Sequence, residues 1–482
     1  MVELNDQAHI RRQRRQNLLT AGVEVYPART AVSTSIAHLL KHWREDQTAS
    51  VAGRVRAMRI QGGSAFVDLD DGTDKIQLFF QKRQLGEVFQ QFSKQLDLGD
   101  FIQAGGQTFR TKAGERSIGV QTVSWLGKAL RPLPSHWHGL EDVELRYRHR
   151  ELDLLTNPET KDLFRKRSIV TQTIRQFLLD HQFLEVETPI LQPLAGGANA
   201  QPFVTHHQAL DSDLFLRIAP ELYLKRLVIG GFNQVFEVAR CFRNEGIDRD
   251  HNPEFTQVEL YAAYRDYYWL MDLLEQLLPN VALAVNGQAA FVYDHQEVPL
   301  HTPFSRLTYR QALLDQAHLD LEDTVAVKKF AHQKLADHLP PQASPEKILD
   351  EVFKTFVRPH LIQPTIVYEY PTAMIPLAKK KTADPRYVEC FQLIMGGTEV
   401  VKAFSEVNDP VDQRERFEAQ EALRAKGDSE AQHIDEDYLQ ALEYGLPPTA
   451  GLGLGIDRLT ALLTGQHNLK DVILFPTLKP KP

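Results

Sequence analysis

Residues 235–261, VFEVARCFRNEGIDRDHNPEFTQVELY, hold two runs of strict alternation separated by a polar stretch, and this pattern restricts the fold more than any other in the chain. In an extended strand successive side chains point to opposite faces. Glu237, Ala239, Cys241 and Arg243 therefore share one face of the first run, with Phe236, Val238, Arg240 and Phe242 on the other. The second run groups Phe255, Gln257, Glu259 and Tyr261 against Thr256, Val258 and Leu260. The intervening residues 244–254 are too many for a tight hairpin and carry Glu245, Asp248, Arg249, Asp250, His251 and Asn252. A solvated edge hairpin accounts for the alternation. It does not account for an arginine and two aromatic rings interleaved with Glu259, whereas a nucleotide site needs a guanidinium for phosphate and a ring for the base. The region reads as a substrate-facing sheet whose loop can fold over a charged ligand.

GLGLGIDR, residues 451–458, runs directly into the apolar segment LTALL. Alternate glycines in a strand permit close approach by a ligand and make a flat floor, with Arg458 at the start of a helix and its charge directed at phosphate. A dinucleotide-binding glycine loop would instead open a unit of about 30 residues with an acid about 20 further on. The residues after Arg458 do not supply one. Nor does the chain contain a GxxxxGK[ST] loop, so a nucleotide must be held by side chains on a sheet.

The 482 residues have room for about three domains. A formal net charge of −8 argues against nucleic acid only until its distribution is considered. Up to Ile60, Arg11, Arg12, Arg14, Arg15, Arg29, Lys41, Arg44, Arg54, Arg56 and Arg59 outweigh Glu3, Asp6, Glu24, Glu45 and Asp46. RRQRR alone fits a solvated helix face as well as an RNA contact. Residues 49–126 then read as five short strands with GG and DG turns and a helical stretch, GEVFQQFSKQL, after the third. That order predicts an OB-fold barrel, a binder of single-stranded nucleic acid. Phe66 could stack on an unpaired base while Gln77 and Arg59 reach base edges and phosphate, although Phe66 taken alone reads as core.

The expected division is a basic helical extension over 1–48, the barrel over 49–128, a proline-containing linker over 129–140 and a catalytic domain over 141–482. Helices and an insertion outside the sheet are expected at about 270–345, and a mobile surface loop at the lysine run 379–381. Cys241 and Cys390 have neither disulfide-framework nor metal-ligand spacing, which favours a reducing compartment. With no apolar leader and no 18-residue apolar run, the default address is the cytoplasm, away from membranes.

FRNEG with HNPEF resembles the second signature motif of class II aminoacyl-tRNA synthetases, and GLGLGIDR resembles the third. The first is matched by a helical run over 162–180 leading into FLEVETPIL, with Pro189 where the family has its motif proline at the dimer interface. APELYLKRL, HNPEFTQVELY, FSEVND and GLPPTAGLGLGIDR are more specifically similar to the bacterial lysyl-tRNA synthetases, and the likeness spans nearly the whole chain. The resemblance implies an α+β protein: a five-stranded OB-fold β-barrel that binds the anticodon, then a class II catalytic domain with a mainly antiparallel sheet flanked by helices. It implies a homodimer using ATP, Mg²⁺, L-lysine and tRNA(Lys), with Arg59, Phe66, Gln77 and Glu115 on the anticodon-recognition positions.

The implied reaction is two-step acyl transfer. The lysine carboxylate attacks the α-phosphorus of ATP, releasing pyrophosphate, and the lysyl group then passes to the terminal ribose of tRNA. Because the nucleophile belongs to the substrate, the protein positions the reactants and stabilises charge. By resemblance, Arg243 and Arg458 are the catalytic arginines. Arg243 bridges carboxylate and α-phosphate, and Arg458 holds the terminal phosphates with His251 assisting. Phe255 and Arg458 sandwich adenine, Glu245 accepts from its exocyclic amine, and Asn252 completes the ATP set. Glu406 and Tyr261 hold the ε-ammonium, Phe404 lines the aliphatic stem, Glu221 and Gly197 take the α-amino group, and Glu259 supports the pocket. Glu399 matches a metal ligand. Gln392 departs from the family's second metal-binding glutamate, and Lys402 from an asparagine near the substrate carboxylate. An amide holds Mg²⁺ less well than a carboxylate. These two positions leave a second reading, a synthetase-like paralogue that binds tRNA or lysine as a regulator or lysylates another acceptor.

Overall fold

Five strands, β1 (Thr48–Gln61), β2 (Ser64–Asp70), β3 (Lys75–Gln81), β4 (Phe101–Arg110) and β5 (Arg116–Gly127), close into a barrel in the order β1-β2-β3-β5-β4. Alternation decides what fills it: Val51, Val55, Val67, Leu69, Leu78, Phe80, Ile102 and Val120 all point inward. Helices α1 (Val2–Thr20), α2 (Ile36–Lys41) and α3 (Glu87–Gln95) add Leu18, Ile36, Leu39, Phe89 and Phe92 to the same core. The RRQRR run lies on α1, and half of its arginines are structural. Arg11 is buried and donates to the carbonyls of Leu98, Ala129 and Arg131, while Arg14 pairs with Asp97. Arg12 stays exposed.

This computed structural model describes residues 2–133, 140–335, 339, 343–425 and 432–480, grouped into two compact units, Met1–Glu141 and Asp142–Pro482. Half of the expected linker, residues 134–139, lies outside the described residues.

The second unit is built on eight strands: β6 (Leu184–Glu185), β7 (Gln234–Phe242), β8 (Glu254–Ala263), β9 (Ser305–Thr308), β10 (Thr365–Tyr368), β11 (Cys390–Met395), β12 (Thr398–Ser405) and β13 (Thr449–Gly455). They run in the order β9-β10-β11-β12-β13-β8-β7-β6, antiparallel except for the pair at each edge. Helices α4 (Pro158–Asp180), α5 (Glu221–Ile229), α6 (Tyr267–Asn286), α7 (Glu436–Glu443) and α8 (Ile456–Leu463) flank this sheet. Phe236, Val258, Leu260, Leu452, Leu454, Val401 and Leu393 face α4, α6 and α8 in one continuous core. Each such buried side chain contributes roughly 1.5–3 kcal/mol, so this face is closed to ligand and the other must carry the site.

Two described parts of the segment expected outside the sheet at about 270–345, α6 and β9, belong to the sheet and its core. Leu270, Met271, Leu274, Leu277 and Val281 of α6 are core residues, and β9 is an edge strand of the sheet itself. At four residues β9 is too short to show alternation. Nor is the lysine run a free loop: Lys379 donates to Asn408 at 2.6 Å, Lys380 pairs with Asp412 at 2.8 Å, and Lys381 pairs with Glu369.

Candidate active site

The strand registers assemble the site. Pairing of β7, β8, β13, β12 and β11 aligns Glu237, Glu259, Gly453, Lys402 and Gln392 in one row across the sheet. The adjoining row on the same face is Val235, Tyr261, Gly451, Phe404 and Cys390. Both rows face away from the main core, and a cavity of about 320 Å³ opens over their central members, Glu259, Gly453, Lys402, Tyr261, Gly451 and Phe404. Gly451 keeps it open: a Cβ there would stand 2.1 Å from Glu406 Oε1 and 2.4 Å from the Tyr261 ring. Gly197 is equally constrained, with a φ of +87° and only 2.9 Å between an added Cβ and that of Glu221.

One end of the cavity is acidic. Glu221, Glu259, Tyr261, Phe404 and Gly197 line it, and Glu406 lies wholly buried behind its wall. Gln257 and Tyr261 donate to the two oxygens of Glu259, at 2.6 and 3.2 Å. Burial pushes the Glu259 carboxyl up to about 8; Glu221 adds to the rise, while the Tyr261 hydroxyl and Arg243 oppose it. Lys225, which sequence reasoning missed, is locked between Glu221, at 2.6 Å, and Glu406. Burial works against its ammonium, but the two carboxylates outweigh that and hold it above the ordinary lysine range. Burial also raises Glu406, against Lys225, which favours the anion. Direct contact with a cation clasped by two carboxylates keeps that pair ionic. The signal for Lys225 was its spacing: residues four apart on a helix share a face.

The other end is basic and aromatic. Arg243 leaves β7 with its guanidinium carbon 4.9 Å from the centroid of Phe255, and its Nε is buried without a partner. Arg458 Nη1 donates to the carbonyl of Glu399 at 3.1 Å. Asn252 is buried, donating from Nδ2 to the Glu254 carbonyl at 2.6 Å and leaving Oδ1 unpartnered. His251 is exposed and tied by Nδ1 to Asp248 at 2.9 Å, and Glu245 is exposed in the same loop. Asp457, also missed, joins the helix bearing Arg458 to β8: it accepts from the Thr256 amide at 2.9 Å and pairs with Arg167 at 2.5 Å.

The protein side chains do not fit a resident divalent metal. Glu399 is the single carboxylate of the expected pair, Gln392 already accepts from the Tyr370 hydroxyl at 2.8 Å, and Lys402 brings an ammonium to the same wall. Among the described residues no cluster of three or more His, Cys, Asp or Glu side chains is arranged to hold one. Hard cations need several oxygen ligands.

In the barrel unit Phe66 points outward, between the inward Ala65 and Val67, and stacks on Phe79 at 4.8 Å between centroids. Phe79 continues to Phe109 at 5.9 Å. Arg59 is exposed directly across from Phe66 in the register. Gln77 shares the strand face of Phe79 and accepts from Ser117 at 3.0 Å, and Glu115 is exposed just before β5. The outer face thus carries an aromatic ladder, of which Phe66 alone stands out in the sequence.

Residues 142–479 match the family described as tRNA synthetases class II (D, K and N), and residues 49–126 match the OB-fold nucleic acid binding domain. The chain belongs to the class II tRNA synthetases of that group and is an aminoacyl-tRNA ligase. Its relatives narrow this further. The Lysine--tRNA ligase of Moorella thermoacetica is 46% identical over 481 residues, covering 99% of this chain and 98% of that protein. The Lysine--tRNA ligase of Enterococcus faecalis is 45% identical over 494 residues, with 99% and 98% covered. That of Syntrophomonas wolfei is 47% identical over 441 residues, with 91% and 89% covered. Among the described residues no helix is long and apolar enough to cross a membrane.

Proposed function

We infer that this chain is a lysine--tRNA ligase, activating L-lysine with ATP and transferring it to tRNA(Lys). The observation that carries the reading is the buried acidic end of the cavity, where Glu406 Oε1 and Tyr261 converge over Gly451. A long cationic side chain needs an anion at the far end of an otherwise closed pocket, and burial makes that anion costly unless a cation arrives. Aspartate or asparagine would need a cation or an amide donor there instead.

In this account the ε-ammonium lies against Glu406 and Tyr261, the stem runs along Phe404, and the α-ammonium meets Glu221 near Gly197. Arg243, whose Nε has no protein partner, aligns the substrate carboxylate with the α-phosphate and stabilises the charge that develops during attack. Phe255 offers its ring to adenine, with Glu245 accepting from its amine, while Arg458, His251 and Asn252 bind the phosphates and ribose side. Mg²⁺ would be ligated chiefly by the nucleotide's own phosphates. The ladder of Phe66, Phe79 and Phe109, with Arg59, Gln77 and Glu115, reads the anticodon by stacking and edge contacts. The enzyme acts in the cytoplasm as a homodimer formed through the α4 to Pro189 region.

Near-complete coverage by the Lysine--tRNA ligases favours this over a regulator or a ligase for another acceptor. Lysine-dependent exchange of pyrophosphate into ATP, followed by transfer of labelled lysine to purified tRNA(Lys), tests it. Both should occur. Exchange without transfer would point to another acceptor, and binding without exchange to a regulator.

A further inference from the structure

Lys225 follows Glu221 by four residues on α5, so both side chains leave one helix face. Its ammonium is fully shielded from solvent, held by Glu221 and Glu406, and lies 5.6 and 6.0 Å from the ring centroids of Phe404 and Tyr438. Neither this ammonium nor those carboxylates could stay charged here alone. Glu259 and Tyr261 face the cluster from β8, Arg243 from the end of β7, and Lys402 from β12 beyond Gly453. Alongside, Glu237 is satisfied by Arg217 at 2.5 Å, and Cys241 is buried.

We propose that Lys225 is a positioning and specificity-determining residue: it locks Glu221 to Glu406 and leaves the pocket short of the positive charge that a substrate with two ammonium groups supplies. The proposal rests on the lysine reading above. Glu221, Glu259 and Glu406 bring three carboxyl groups and Lys225 one ammonium; Glu259, raised by burial, holds a proton until a substrate ammonium displaces it. The α- and ε-ammonium groups of a diamino acid complete the balance of that cluster, while its carboxylate faces two further cations of the lining, Arg243 and Lys402. An amino acid lacking one ammonium leaves a buried carboxylate uncompensated, so the pocket must keep a proton to accept it. Without Lys225, Glu406 would face Glu221 with nothing between them and take up a proton. Its Oε1, beside Gly451, would no longer present an anion to the substrate.

Two measurements test this. On the wild-type enzyme, calorimetry in buffers of different ionisation enthalpy counts the protons exchanged when lysine, norleucine or 6-aminohexanoate binds. Each analogue lacking an ammonium should release about one proton fewer than lysine does; equal counts overturn the proposal. In the Lys225→Met variant, the KM for lysine should rise about tenfold or more near neutral pH and then fall by about tenfold per pH unit as pH is raised. The KM for ATP should hold, and Lys225→Arg, which keeps the charge, should keep the wild-type slope. A lysine that merely supports the fold would lower stability and leave the slope unchanged, and that result also overturns the proposal. Should Lys225→Met fail to fold, the proton counts on the wild type decide. Absence of lysine-dependent exchange in the wild type would instead refute the lysine reading itself, so the two failures are distinct.

Discussion

At the acidic end of the cavity Glu221, Glu259, Glu406 and Lys225 are buried, and each is held by at least one hydrogen bond or ion pair before any substrate arrives. At the basic end Glu245 and His251 stand exposed on a loop without regular structure, and Arg243 and Asn252 keep buried polar atoms with no partner. The acidic end is already assembled apart from Glu406 Oε1, which has no hydrogen-bond partner, whereas the loop of the basic end is exposed. The difference follows from the chemistry each must recognise. In the proposed reading two ammonium groups are selected by buried, desolvated carboxylates, which requires a closed pocket. In the same reading a nucleotide with several phosphates meets exposed side chains on a loop, a surface open to solvent.

Variants at either end of the cavity should have separable effects. The largest effect is expected for Arg243→Ala, which removes the one guanidinium poised between the two ends. Pyrophosphate exchange should fall by about 10³-fold, while tRNA binding by the barrel is retained; substantial residual exchange would show that Arg243 does not align the reactants. Gly451→Ala should come next. Its new methyl would collide with Glu406 and Tyr261, and overpacking of this kind costs about 1–3 kcal/mol. The KM for lysine should rise roughly tenfold or more while the KM for ATP is kept, and a uniform loss of both would locate the damage in the sheet rather than the acidic end.

A variant in the barrel sharpens the contrast from outside the cavity. Phe79→Ala breaks the ladder between Phe66 and Phe109, and loss of one stacking platform costs about 1–3 kcal/mol. Filter binding should show weaker tRNA(Lys) affinity with lysine-dependent exchange intact; unchanged affinity would move the RNA contact elsewhere. The smallest effect is expected for the double variant Lys402→Asn with Gln392→Glu, which restores a second carboxylate to the basic wall. Half-saturation by Mg²⁺ in exchange should shift to lower concentration by a few-fold. Identical metal curves would mean that neither position tunes the metal requirement.

Much of this architecture was legible from residue patterns because period-two alternation and turn chemistry report directly on half-buried strands. The barrel and the strand pair around residues 243–253 are such cases. Short β9 and the core role of α6 were hidden, since a four-residue strand carries no period and a buried helix resembles any apolar helix. Candidate site residues could be proposed one by one from the family motifs, but the side chains that contact them could not. Lys225 pairs with Glu406 across the fold, and Phe79 and Phe109 reach Phe66 only through strand register. Such contacts exist in space and leave no mark in spacing. Lys379 to Lys381 misled for the same reason: a charge run looks solvated until Asn408, Asp412 and Glu369 are brought beside it.

The most direct test of the account is pyrophosphate exchange measured separately with each of the twenty amino acids. Lysine alone should drive exchange above background; arginine, longer and bulkier at its tip, should be far weaker, as should ornithine added as a twenty-first compound, which is one methylene too short to reach Glu406 from Glu221. Exchange driven by aspartate or asparagine, or none with lysine, would contradict the claim that a closed, acid-lined pocket selects the substrate.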